Sequence, residues 1–177
     1  IAIVGVFGFE WIGGEFRLMS ILLIMGVALI PYLLTNLTII SDKKIFLGDA
    51  GSMFIGFVLA FSLIELSQGQ DDNASVIQPV SVIWCVAFPV IDTLTVIVKR
   101  LMSGRSPFCG DRAHFHHLLM DKGMAPQQAL LLIIFASLGL AVLGWLLQLL
   151  APQLSAVAFV AITLIYMHWV RRSGWDH

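Results

Sequence analysis

QQALLLIIFASLGLAVLGWLLQLL, residues 127–150, carries no charged side chain. A helix rises about 1.5 Å per residue, so a run of this length crosses the roughly 30 Å hydrocarbon core of a bilayer. Further mostly apolar runs lie on both sides of it, at 18–40, 46–66, 76–98 and 153–170, and residues 1–9, IAIVGVFGF, read as the tail of another. Hydrophobic residues make up 59% of the chain and charged residues 12%, about half the charged share of a soluble domain. The reading is an all-α fold: a polytopic transmembrane helical bundle of five spans plus the tail of a sixth. Residues 1–177 form part of a single multi-pass domain. The chain opens on Ile1 inside an apolar run, with no charged segment or cleavage site of a signal peptide, and reads as a piece whose N-terminal part is absent.

The basic residues orient this bundle. Lysine and arginine collect in loops on the cytoplasmic side. If the 18–40 run ends in the cytoplasm, the inner segments are 41–45, 99–126 and 171–177. These hold Lys43, Lys44, Lys99, Arg100, Arg105, Arg112, Lys122, Arg171 and Arg172. Of the ten basic residues only Arg17 falls outside. Glu10, Glu15, Asp71 and Asp72 lie on the outer side, while Trp11, Trp169 and Trp175 flank spans as interfacial aromatics do. Nothing in this pattern calls for a nucleic-acid partner. Cys85 and Cys109 are too few for a disulfide framework.

Two inner segments carry the chemistry. The first is IFLGDAGSMFIGF, at the start of the 46–66 span, with Asp49 between Gly48 and Gly51. Asp49 is either a helix cap or part of a phosphate and metal site. A helix N-terminus attracts anions, Ser52 adds a hydroxyl, and a carboxylate beside a phosphate calls for a cation such as Mg²⁺ between them. The second is the loop 99–126, containing KRLMSGRSPFCGDRAHFHHLLMDKG. Residues 111–121 fit a short helix, Asp111 at its cap and Gly123 at its end, with His114 and His117 on one face and His116 pointing elsewhere. Its composition ranks an anion site of Arg and His donors above a lipid anchor, and both above a zinc site, whose spacing matches no standard signature. Asp92, in CVAFPVIDTLTVIVKR, is an ionisable group within a span and so a functional candidate, although a structural pair with a basic residue of a neighbouring helix explains it slightly better. The same residue with the loop histidines could instead serve an ion path, the reading of a transporter or channel.

FLGDAGSMFIGF followed by SPFCGDRAHFHHLLMDKG resembles the polyprenyl-phosphate N-acetylhexosamine-1-phosphate transferases, of glycosyltransferase family 4. The FPVID stretch around Asp92 fits the same pattern, and the resemblance covers the chain as the C-terminal half of such an enzyme. It implies a Mg²⁺- (or Mn²⁺-) dependent phosphotransferase of the bacterial inner membrane, with its active face cytoplasmic. Such an enzyme moves N-acetylhexosamine 1-phosphate, N-acetylglucosamine being the first choice, from a UDP-sugar to undecaprenyl phosphate. The products are a lipid diphosphate sugar and UMP, in the first step of O-antigen-type polysaccharide synthesis. By the resemblance, Asp49 is the metal-side catalytic aspartate of the GDxGS motif, and Ser52 of that motif binds substrate. His114, His116 and His117 form the HxHH motif that binds the nucleotide sugar. Arg112 is a diphosphate contact, and Asn36 matches an asparagine that precedes GDxGS. The family's DDxxD-type acidic motif belongs upstream and Asp71-Asp72 cannot replace it, so the chain alone is expected to be inactive.

Overall fold

A computed structural model describes residues 17–36, 45, 47–68, 79–106 and 114–172. Among them every regular element is helical: α1 Arg17–Asn36, α2 Gly48–Gln68, α3 Pro79–Ile83, a 3-10 turn Trp84–Val86, α4 Ala87–Met102, α5 Phe115–Asp121, α6 Pro126–Leu150, a second 3-10 turn Pro152–Leu154, and α7 Ser155–Arg172. Four stretches are long and apolar enough to cross a membrane: Gly48–Glu65, Pro79–Met102, Pro126–Leu150 and Pro152–Arg172. The apolar part of α1, Ser20–Asn36, is shorter, and residues 37–40 of the expected first span lie outside the described residues, as do residues 1–9. Large apolar side chains point outward along these helices, Phe57 69%, Met53 73% and Leu150 81% exposed. Such faces suit hydrocarbon rather than water. The all-α membrane bundle read from the apolar runs is the architecture observed.

The chain divides after residue 82 into two compact units. In the first, Asn36 Oδ1 at the end of α1 accepts the backbone N–H of Ile45 at 3.0 Å. This bond ties the end of α1 to the strand of chain that leads into α2. In the second unit the span Pro79–Met102 is not one continuous helix. Pro89 has no N–H to give the carbonyl of Cys85, and its ring crowds that carbonyl, so the preceding turn tightens into the 3-10 segment Trp84–Val86.

That tightened turn carries the core of the second unit. Trp84, Ala87 and Ile91 are buried against Leu143, Leu147, Phe159 and Ile162 of α6 and α7. The Trp84 indole N–H donates to Ser155 Oγ at 2.9 Å, and the ring meets Phe159 edge-on with centroids 5.3 Å apart. Gly144 makes this possible: a Cβ there would sit 2.1 Å from the Trp84 Cβ. Three hydroxyls along the spans are satisfied within their own helices, as hydrocarbon demands: Thr95 donates to the Ile91 carbonyl, Ser137 to Ile133 and Thr163 to Phe159. Gly144→Ala should therefore destabilise the fold by about 1–3 kcal/mol through overpacking against an immovable Cβ. A lowered thermal midpoint in detergent checks this, and an unchanged one would show that α6 and the 3-10 turn can separate freely.

Candidate functional site

The first residue of α5 reaches Asp92, ten residues back along α4 from its end and so about 15 Å along the axis. Three donors converge there. His114 Nδ1 lies 2.9 Å from Asp92 Oδ2, the Phe115 N–H donates to Oδ1 at 3.1 Å, and the Tyr166 hydroxyl of α7 donates to Oδ1 at 2.9 Å. The Asp92 side chain is 14% exposed and that of His114 37%. The expected partner, a basic residue of a neighbouring helix, is His114 at the cap of α5, joined by a backbone amide and a tyrosine. These three account for a carboxylate within a span without any ion path.

The loop helix is correspondingly shorter than the sequence implies. His114 is extended at φ −71° and ψ 150° and serves as the N-cap, its side chain bonding Asp92 rather than an amide of the helix. The orphan amide of Phe115 is capped instead by Asp92 from another helix, in the manner of an aspartate cap. Asp111, the expected cap, and Cys109 and Arg112 lie outside the described residues. The end of the helix is as expected: Met124 N–H bonds the Leu119 carbonyl and Gly123 N–H that of Met120, the paired bonds of a Schellman cap at Gly123.

Because His114 precedes the helix, the three histidines are not arranged as a helical face. The His114 and His116 rings stack at 6.1 Å with planes 11° apart, and those of His116 and His117 lie 4.0 Å apart. The expectation that His116 would point away from the others is thus overturned: it is the middle ring of a row. Partial burial, then the neighbouring His117 and His114 when charged, push the His116 pKa below its ordinary value of 6.5, and Asp92 opposes them. The row is fastened from beneath. Phe115 packs among Phe88, Tyr166 and Trp169, with centroids 5.5, 5.8 and 5.8 Å away. Phe115 and Leu119 are buried with Ala129, and the Lys122 ammonium sits 5.3 Å above the Trp169 ring.

Asp49 belongs to the other unit. It is exposed in the first turn of α2, and among the described residues no backbone amide or side chain bonds its carboxylate. It lies near the positive end of the helix dipole without acting as a hydrogen-bonded cap. Gly48 begins α2 at φ +74°, a conformation that side-chain-bearing residues resist. A Cβ on Gly51 would meet the Leu47 side chain, its Cγ nearest at 2.8 Å. Ser52 donates its proton to the Gly48 and Asp49 carbonyls at 3.2 and 3.0 Å, so toward a ligand it offers lone pairs. Asn36 is occupied as the loop staple described above. An apolar groove of about 370 Å³ opens beside this turn, lined by Ile21, Met25, Leu47, Gly51, Phe54 and Val58 among others. Among the described residues no three His, Cys, Asp or Glu side chains come together as a complete metal cage. A lone exposed carboxylate does fit Mg²⁺, which binds through one or two carboxylates, keeps several waters and shares substrate phosphates.

Residues 1–67 match the family described as Glycosyl transferase family 4. The chain is 36% identical over 167 residues to the undecaprenyl-phosphate alpha-N-acetylglucosaminyl 1-phosphate transferase of Escherichia coli O157:H7, covering 92% of this chain and 45% of that one. These matches bear out the resemblance to glycosyl transferase family 4. The proteins of the same name from Yersinia pestis and Salmonella typhi are 37% and 39% identical over 153 and 135 residues. Those alignments cover 84% and 76% of this chain and 41% and 36% of the relatives. The chain therefore spans about half the length of the curated relatives it matches. No solved structure matches it significantly.

Sequence reasoning did not pick out Tyr166. A tyrosine within a span needs a partner for its hydroxyl, and that is the one signal that could have pointed to it. The order of the histidine row is open to measurement. In an NMR pH titration His116 should take up its proton below the ordinary histidine value, and His117→Gln should move that titration upward by removing a like charge. A titration unmoved by His117→Gln would show that the adjacent ring does not bear on it.

Proposed function

We propose that this chain, as part of the complete protein, transfers N-acetylhexosamine 1-phosphate from a UDP-sugar to undecaprenyl phosphate at the cytoplasmic face of the bacterial inner membrane. N-acetylglucosamine is the first choice of sugar, and O-antigen-type polysaccharide the destination. The observation that carries the reading is the histidine row of α5, pinned to α4 and α7 in a chain 36% identical over most of its length to transferases of that name. A lipid phosphate oxygen attacks the β-phosphorus of the UDP-sugar. The bond from that phosphorus to the bridging oxygen breaks, and UMP leaves with the oxygen.

Phosphoryl transfer asks a protein mainly for positioning and charge neutralisation. Asp49 would hold Mg²⁺ (or Mn²⁺), which when bound neutralises diphosphate charge. The first turn of α2 presents its amides near the same place. The apolar groove beside Leu47 and Gly51 supports a polyprenyl chain as the acceptor's tail. His116, whose pKa is lowered, is neutral at pH 7 and enters as an N–H donor and a ring face rather than a cation. Arg112, two residues before His114 in sequence, is the proposed source of positive charge on the diphosphate.

The reading is tested by following radiolabel from UDP-N-acetylglucosamine into undecaprenyl phosphate extracted from membranes holding the complete protein. Chelation should abolish transfer, and Mg²⁺ or Mn²⁺ should restore it. Asp49→Asn should lower kcat more than about tenfold, a barrier increase of at least about 1.4 kcal/mol. Near-wild-type transfer by this variant would remove Asp49 from the metal site. His116→Ala should raise the KM for the UDP-sugar, and an unchanged KM would reduce the loop to an anchor.

A further inference from the structure

We propose that Asp92, with Tyr166 behind it, is the positioning residue that sets both the ring and the register of the histidine row for a nucleotide-sugar diphosphate. Asp92 does not touch that ligand; it acts through His114. The proposal rests on the function proposed above and adds to it two residues that lie in spans rather than in the loop.

A carboxylate offers only lone pairs. With Oδ1 already receiving the Phe115 N–H and the Tyr166 O–H, the contact between Oδ2 and His114 Nδ1 is served by a proton on the nitrogen. That choice fixes the tautomer and leaves Nε2 as the nitrogen that can meet a ligand, the same logic by which a second group orients any working imidazole. The bond from Phe115 N–H has a separate effect. It defines where α5 begins, and with it the helical positions of His116 and His117 in the first turn. Since the His114 ring stacks on that of His116, one carboxylate sets the end ring directly and the other two through the helix start. Tyr166 bonds the same carboxylate oxygen as the Phe115 N–H and packs on Phe115, centroids 5.8 Å apart, so it resists rotation of Asp92 away from α5.

Asp92→Asn separates these effects. The amide oxygen can still accept from Phe115 and Tyr166, while the amide NH₂ faces His114 Nδ1 and favours the opposite tautomer. In the complete protein, ¹⁵N NMR of the histidine rings should show His114 protonated at Nδ1 in the wild type and at Nε2 in Asp92→Asn. The KM for the UDP-sugar should rise by about tenfold, the scale of one hydrogen bond to a charged group, with the KM for the lipid acceptor unchanged. Asp92→Asn in a His114→Ala background should add nothing further, because the two act as a unit. Tyr166→Phe, which keeps the ring, should raise the same KM by a smaller factor, and it serves if Asp92→Asn does not fold. A tautomer unmoved by Asp92→Asn would overturn the proposal. So would an unchanged KM in both single variants, or additive effects in the double variant. Wild-type protein without transfer activity would overturn the function proposed above, and the tautomer shift would then decide alone whether Asp92 sets the ring.

Discussion

A carboxylate placed within a membrane span must be satisfied by the protein, because the surrounding hydrocarbon offers it nothing. Asp92 meets that requirement with three donors drawn from two other parts of the chain, the start of α5 and the middle of α7. The position at which α5 begins and the orientation of His114 both depend on that one demand. Around it the packing is aromatic: Phe88, Phe115, Tyr166 and Trp169 form a continuous set of ring contacts between α4, α5 and α7. Partly buried in this way, the polar centre is screened from some of the water, and its bonds gain strength from the lower local dielectric.

The two units solve the same problem differently. In the first, the polar groups are settled locally: Asn36 closes the connection to Ile45 nine residues away, and Ser52 turns back on its own helix. Asp49 is left exposed at a helix start, with a glycine at positive φ before it. In the second, the groups at Asp92 are settled across the sequence, by bonds between residues 22 and 74 positions apart. The contrast follows from location. A group in the first turn of a helix can reach solvent, whereas a group two turns or more inside a span has to draw its partners to it.

That difference also explains what could be read from residues alone. Long apolar runs announce spans because length and composition suffice, and helices cover the runs at 46–66, 127–150 and 153–170 to within a few residues. The Schellman end of α5 was legible because Gly123 is a local signal. The beginning of α5 was not, since its cap comes from Asp92 and no rule of spacing connects residue 92 to residue 115. Once His114 falls outside the helix, the expected i, i+3 pairing of His114 with His117 has no basis, and the rings align as a row instead. Trp84 is a similar case. Its burial needs Gly144, a residue that in the sequence is only one of several glycines in a span, and Pro89, whose tightened turn presents the indole to Ser155.

Specific recognition at a membrane surface needs rigid side chains, and a polar loop between spans is an unpromising place to find them, since loops are the mobile part of most folds. The arrangement here removes that difficulty by borrowing order from the spans. Burial of Phe115 and Leu119 anchors α5 by apolar contact, which is strong but tolerates sliding and rotation. The bonds to Asp92 are directional and supply what apolar contact lacks, a fixed azimuth for one ring and a fixed starting point for the turn that holds the next two. The cost of placing an ionisable group in a span is thereby converted into orientation at its end, and a partly buried aspartate becomes the residue on which the geometry of the histidine row rests.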